Sequence, residues 1–220
     1  MEPQAILVIV VTLVMGWFAF GILYNLRHGD ALLKWMKAGL PRIGERATYR
    51  WLGTSVAELG ISQAKPPLRS LQIMVALSPR DVPWLWLPAY LRGRRDTLIF
   101  RAQLTTAPKI DMDWVQPAFW TGRMAVEDAA EKNWPQSEYQ NLQLLAPAVF
   151  QKLAVSMLER LAEPMQALSP AYHRVSLRRD EPHLEIHLPL PDYKHIPADQ
   201  YFNALQDLAR QVSQSEAPLA

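Results

Sequence analysis

Three side chains capable of acid–base or metal chemistry occupy alternate positions of one short segment, His183, Glu185 and His187, with Asp192 and His195 a few residues downstream. Imidazole and carboxylate groups ligate divalent metals and are common proton carriers near neutral pH. Their spacing limits what they can do together. Alternate residues of a strand share a face, but at roughly 3.3 Å per residue His183 and His187 stand about 13 Å apart, too far for two metal bonds of about 2 Å to meet. A metal would need one of these histidines with Glu185 and help from His173 or His195. The polar face of an amphipathic strand explains the same pattern without a ligand, so no metal and no cofactor are expected.

Asp111-Met112-Asp113 is a second acidic pair, expected as a solvated turn rather than a cation site. The chain contains no Gly-x-Ser-x-Gly, phosphate-binding loop or Gly-x-Gly-x-x-Gly, and Ser55, Ser62 and Ser70 have no adjacent base. Cysteine is absent, which excludes disulfides, thiol catalysis and Cys-ligated metals. A membrane-tethered enzyme using the His183, Glu185 and His195 region, with or without a metal, therefore stands second to a non-catalytic reading.

The histidines fall in a predicted hairpin, with Val175 and Leu177 on one arm, a turn over Arg179 to Pro182, and Leu184, Ile186 and Leu188 on the other. Earlier runs also alternate with period two: Ala47, Tyr49 and Trp51; Ala57, Leu59 and Ile61; Leu71, Ile73, Val75 and Leu77; and Leu98, Phe100, Ala102 and Leu104. Leu142 and Leu144 suggest a further strand. A helix opened by Pro147 aligns Val149, Phe150, Leu153, Met157, Leu158 and Leu161 until Pro164, and a final helix runs from Pro197 to Val212. The pattern weakens from Asp111 to Glu138 around a short acidic helix at 124–132, marking a possible subdivision. The expected fold class is α+β, a mostly antiparallel sheet with packed helices behind a single N-terminal transmembrane helix.

That helix is the uninterrupted apolar run from Ala5 to Leu23, which carries no charge. About 20 residues at roughly 1.5 Å each match a hydrocarbon core of about 30 Å. A cleaved signal sequence fits less well, because Glu2 replaces a basic flank and the run exceeds the usual length. Residues 1–24 are read as the anchor. Basic residues Arg27, Lys34, Lys37 and Arg42 all follow the run, so the N-terminus is expected outside the cell membrane and the bulk of the chain in the cytoplasm.

Asp30 is read as the cap of a separate juxtamembrane helix within 25–40, ended by Gly39 and Pro41, with Leu32, Leu33, Trp35 and Met36 opposite Lys34 and Lys37. It is expected to lie along the inner leaflet with Trp35 among the headgroups; the alternative packs it on its own domain. The cytoplasmic α+β domain then covers 41–212, and 213–220 is a polar tail expected to lack fixed structure.

The formal net charge of +2 hides an asymmetry: 14 Lys/Arg face 5 Asp/Glu from Tyr24 to Ile110, against 9 and 15 from Asp111 to Ala220. The basic half is the tethered half, which suits an anionic inner leaflet. Within it, Val82 to Leu91 is rich in aromatics and is followed by Arg92, Arg94 and Arg95. Three readings are open for this segment: a helix packed in the core, a second contact with a membrane or partner, or a nucleic-acid surface of stacking rings and phosphate-binding arginines. Tyr24, Arg27, Lys34, Trp35, Lys37, Trp84, Trp86, Arg92, Arg94 and Arg95 are the expected membrane-side residues. The functional expectation is a single-pass anchored protein whose domain is an interaction or scaffolding module for a protein partner. Nucleic acid is disfavoured by the acidic distal half.

Overall fold

The structure, a computed structural model, describes residues 2–214. Along the chain the elements are α1 (Pro3–Ile43), β1 (Ala47–Trp51), β2 (Val56–Ile61), β3 (Leu68–Ala76), α2 (Pro83–Leu91), β4 (Thr97–Leu104), β5 (Met112–Val115), α3 (Trp120–Glu131), β6 (Gln136–Tyr139), β7 (Leu142–Leu145), α4 (Gln151–Leu168), β8 (Arg174–Leu177), β9 (Leu184–Pro189) and α5 (Ala198–Ser213). The fold is α+β. All nine strands join one sheet in the order β1-β2-β3-β4-β9-β8-β5-β7-β6, and every pairing is antiparallel.

Strand alternation gives the sheet two unlike faces. Leu59, Ile73, Phe100, Ile186 and Val175 point to one side, where the second half of α1 together with α4 and α5 covers them. Burying each such aliphatic side chain contributes about 1.5–3 kcal/mol, and this layer is the main core. The opposite face carries a much smaller apolar cluster, Val115, Leu145, Ala125 and Ala129, beneath α3. Elsewhere that face is mostly polar, with Met74 and the buried Ile99 among its apolar residues. One directly paired row crosses seven strands as Thr48, Gly60, Gln72, Arg101, Glu185, Ser176 and Asp113.

The expected break near Asp30 does not occur. α1 is one continuous helix of 41 residues, and Asp30 is an exposed residue within it. Gly39, expected as a stop signal, instead permits close packing: a Cβ there would collide with the Phe202 ring and the α5 backbone at Ala198. Leu32, Leu33 and Met36 are buried, so the domain-packing alternative for this segment is the one the fold adopts.

Three further expectations are corrected. α4 continues through Pro164 to Leu168, because Met165 and Leu168 extend its buried stripe beyond the missing N–H, whereas Val149 and Leu153 are exposed. The Asp111–Glu138 region holds β5 and β6, and β5 pairs with β8 and β7 inside the same sheet. The β6–β7 hairpin turns on Gln140 and Asn141, both at positive φ (51° and 62°), a two-residue turn whose usual Asn-Gly signature is absent. Helix α5 includes Ser213, and the rest of the expected tail lies, from residue 215, outside the described residues.

Candidate functional site

Two regions concentrate the residues singled out by the sequence. The first is the junction between α1 and α2. From Ile6 to Phe20 the large apolar side chains of α1 are exposed, and Gly21 is its first buried residue. This is the one helix long and apolar enough to cross a membrane among the described residues. Pro3 to Phe20 rises about 27 Å at 1.5 Å per residue, close to the thickness of a hydrocarbon core.

The domain grips α1 where the exposed stretch ends. At Gly21 a Cβ would fall on the backbone of Asp81, so only glycine lets the loop before α2 approach this closely. Fully buried Asn25 donates through Nδ2 to the Ser78 carbonyl at 3.1 Å and accepts from Arg80 Nη1 at 3.2 Å. Arg80 is held in turn by Asp96 at 2.8 Å. Trp17 reaches from the exposed segment to donate its indole N–H to the Arg80 carbonyl at 2.8 Å, and its ring lies 6.1 Å from that of Trp86 in α2.

Helix α2 has the sequence Pro-Trp-Leu-Trp-Leu-Pro-Ala-Tyr-Leu, and none of its residues is buried. Trp84 is 64 % exposed and Leu91 75 %. The core reading of this segment is thereby overturned. The arginines after it are engaged within the chain: Arg95 lies 3.8 Å over the Tyr90 ring and donates to the Tyr90 carbonyl, and Arg94 lies 5.5 Å from Trp120. The Arg92 carbonyl accepts from Arg123 of α3 at 2.7 Å. Of the rings in this segment Tyr90 is covered by a guanidinium of the same chain, which leaves it poorly placed to stack on a base, while Trp84 stays open.

Not all of the expected membrane-side residues gather here. Tyr24, Trp84 and Trp86 lie by the α1–α2 junction beside Trp17, and Arg27 lies one to two turns beyond Gly21 along α1, whereas Arg92 and Arg94 follow α2 on the side of α3 and Arg95 covers Tyr90 at the end of α2. Trp35 is inside the domain: its ring meets Tyr201 edge-on at 5.3 Å and stacks on Phe202 at 6.2 Å, and its N–H donates to the Ile196 carbonyl at 2.7 Å. Lys34 and Lys37 are exposed but stand about 20 Å along the helix axis from Gly21. Continuity of α1 carries all three away from its apolar end. The Trp17 contact joins residues 63 positions apart, so sequence spacing alone could not assign it.

The second region is the polar sheet face. Glu185 Oε1 meets His187 Nε2 at 2.6 Å and Glu185 Oε2 accepts from Arg101 Nε at 2.9 Å. Burial pushes the Glu185 carboxyl up, but the hydrogen bond and charge of His187, with Arg101 and Arg174, outweigh it and hold the pKa at about 2. His173 packs against Phe119 with ring centroids 3.7 Å apart, and burial, reinforced by His187, lowers its pKa to about 4. The next strands continue the network: Asp113 accepts from Arg174 at 3.1 Å, from Arg178 at 2.5 Å and from Ser176. Asp113 is thus a buried strand residue and not part of a solvated turn, while Asp111 binds Arg179 at 2.8 Å.

His183 stands apart from this pair, its Nδ1 accepting the Leu104 N–H at 3.0 Å. Asp192 and His195 pair at 2.7 Å on the exposed chain after β9. The five histidine and acidic candidates therefore form separate local contacts. Among the described residues no group of three or more His, Asp and Glu side chains is arranged to hold a metal ion. Beside the network lies an open groove of about 700 Å³, lined by Thr48, Gln72, Arg101, Gln103, Glu181 and Glu185 among others. The chain matches no protein-family model and no curated protein.

Proposed function

We propose that this chain is a single-pass membrane-anchored protein whose α+β domain is a non-catalytic interaction module seated on the bilayer by two elements, the first half of α1 and helix α2. One observation carries the reading: α2 is an apolar helix with no buried residue, placed beside Trp17 near the end of the exposed apolar stretch of α1. An isolated apolar patch of this kind on a water-facing surface is costly, whereas beside the last exposed turns of α1 it reaches the boundary of hydrocarbon and headgroups. Trp84, Trp86 and Tyr90 suit that boundary, and the following arginines suit its polar side. The basic flank of the run favours an N-out orientation with the domain in the cytoplasm. The polar sheet face, with its open groove, is then the surface presented to a protein partner.

Because the chain has no cysteine, a single introduced cysteine gives a unique label. Full-length Leu87→Cys and Gln72→Cys proteins carrying an environment-sensitive dye are reconstituted in vesicles containing quencher lipids. Quenching at Leu87 and none at Gln72 is the expected result; an unquenched Leu87 dye in protein that floats with the vesicles removes α2 from the membrane. A photo-crosslinker at Gln72 in native membranes should capture a protein, and capture unchanged by Arg101→Glu would retire the sheet face as the partner surface.

A further inference from the structure

We infer that the foot of α1 holds one anionic phospholipid of the leaflet on the domain side, its phosphate on Arg27 and an acyl chain along Leu23 and Phe20. This rests on the membrane reading of α1. A groove of about 350 Å³ opens where the helix leaves the domain, lined by Phe20, Leu23, Tyr24, Arg27, His28 and Tyr193. It contains one permanent cation and no carboxylate among its lining residues. Arg27 is exposed and its side chain makes no hydrogen bond or ion pair with another described residue, unlike Arg80, which is fixed on Asp96.

The helix geometry orders the two ends of such a ligand. Gly21 marks the domain-side end of the exposed apolar stretch, and Arg27 lies about 9 Å beyond it, at headgroup depth. Arg27 and Leu23, four residues apart on the same face of the helix, line the groove together, and helix side chains lean toward the N-terminus, the bilayer end. Phe20, Tyr24 and His28 form the adjoining wall, with ring centroids 6.2 Å and 5.9 Å apart, and Tyr193 closes it 5.8 Å from His28. The groove thus offers apolar contact at its bilayer end and a cation at its aqueous end. Its lining face is turned roughly a quarter of the way round α1 from the face that Trp17, Gly21 and Asn25 present to the domain, so α2 does not obstruct it.

The test uses delipidated full-length protein in detergent, titrated with phosphatidylglycerol or phosphatidylcholine and read by native mass spectrometry, with vesicle flotation of the same proteins in parallel. The expected result is one tightly bound phosphatidylglycerol, at least tenfold favoured over phosphatidylcholine, with the preference lost in Arg27→Gln and both lipids lost in Leu23→Trp, which fills the groove. Wild-type protein that floats but shows equal affinity for the two lipids, or an Arg27→Gln variant with unchanged preference, overturns the lipid site and leaves the anchor standing. Protein that does not float with any vesicle overturns the membrane reading and the site with it. Displacement of the lipid by water-soluble glycerol phosphate would show that the groove recognises phosphate without an acyl chain, and the lipid assignment would fall.

Discussion

The indole N–H of Trp17 donates to the backbone carbonyl of Arg80 at 2.8 Å, joining the exposed apolar part of α1 to the loop that leads into α2. Residues 63 positions apart thereby fix the position of α2 along α1. The Trp17→Phe variant keeps a ring beside Trp86 and removes only the donor. It should cost about 1 kcal/mol, the net worth of one hydrogen bond, and the α2 amides should exchange faster while those of β3 and β4 do not. Hydrogen exchange of the reconstituted protein measures this; uniform slowing or quickening across the domain would contradict a local role.

Two glycines of α1 should respond oppositely to alanine. Gly16→Ala meets no atom within 4 Å and should be neutral or slightly favourable, since alanine is the better helix former. Gly21→Ala drives a methyl into the Asp81 backbone and should cost about 1–3 kcal/mol. Thermal unfolding of both full-length variants in the same detergent compares them directly.

The buried carboxylate of Asp113 answers two guanidinium groups, Arg174 and Arg178, that are themselves largely covered. Replacing it with alanine strands those charges and should cost about 3 kcal/mol or more. Asp111→Ala breaks a pair whose arginine is 58 % exposed, and should cost under about 1 kcal/mol. Similar losses for the two variants in denaturant unfolding would refute the distinction.

Acid should weaken the domain in two steps. His173 is held at a pKa of about 4 against an ordinary 6.5, so between those values the unfolded chain takes up a proton that the folded chain refuses, and stability falls as pH falls. Glu185, held at about 2 against 4.5, adds a second loss in the lower window. Each contributes at most about 1.4 kcal/mol per pH unit within its window. Unfolding midpoints measured from pH 7 to 2 should flatten in His173→Gln above pH 4.5, while the lower step persists.

Composition and periodicity were enough to define the apolar run, the α+β class, the first four strands, the β8–β9 hairpin and the final helix, because each depends on residues within one element. The alternation of Leu98, Phe100, Ala102 and Leu104, for example, reports a half-buried strand wherever its neighbours lie. Other features depended on distant partners. Gly39 and Asp30 carry the local marks of helix ends, yet the covering of Leu32, Leu33 and Met36 by the domain keeps α1 continuous, and Gly39 serves contact with Phe202. The β6–β7 turn at Gln140 and Asn141 lacked a strong local signal, so strand pairing with β5 was needed to reveal it.

The candidate sites divide in the same way. That Trp84, Trp86 and three arginines stand together is a property of the sequence; that α2 stays uncovered beside Trp17 was decided only by tertiary structure. Hydrophobic residues carry the same transfer preference in a core, an interface or a bilayer, and only the packing of the rest of the chain determines which of them remain exposed.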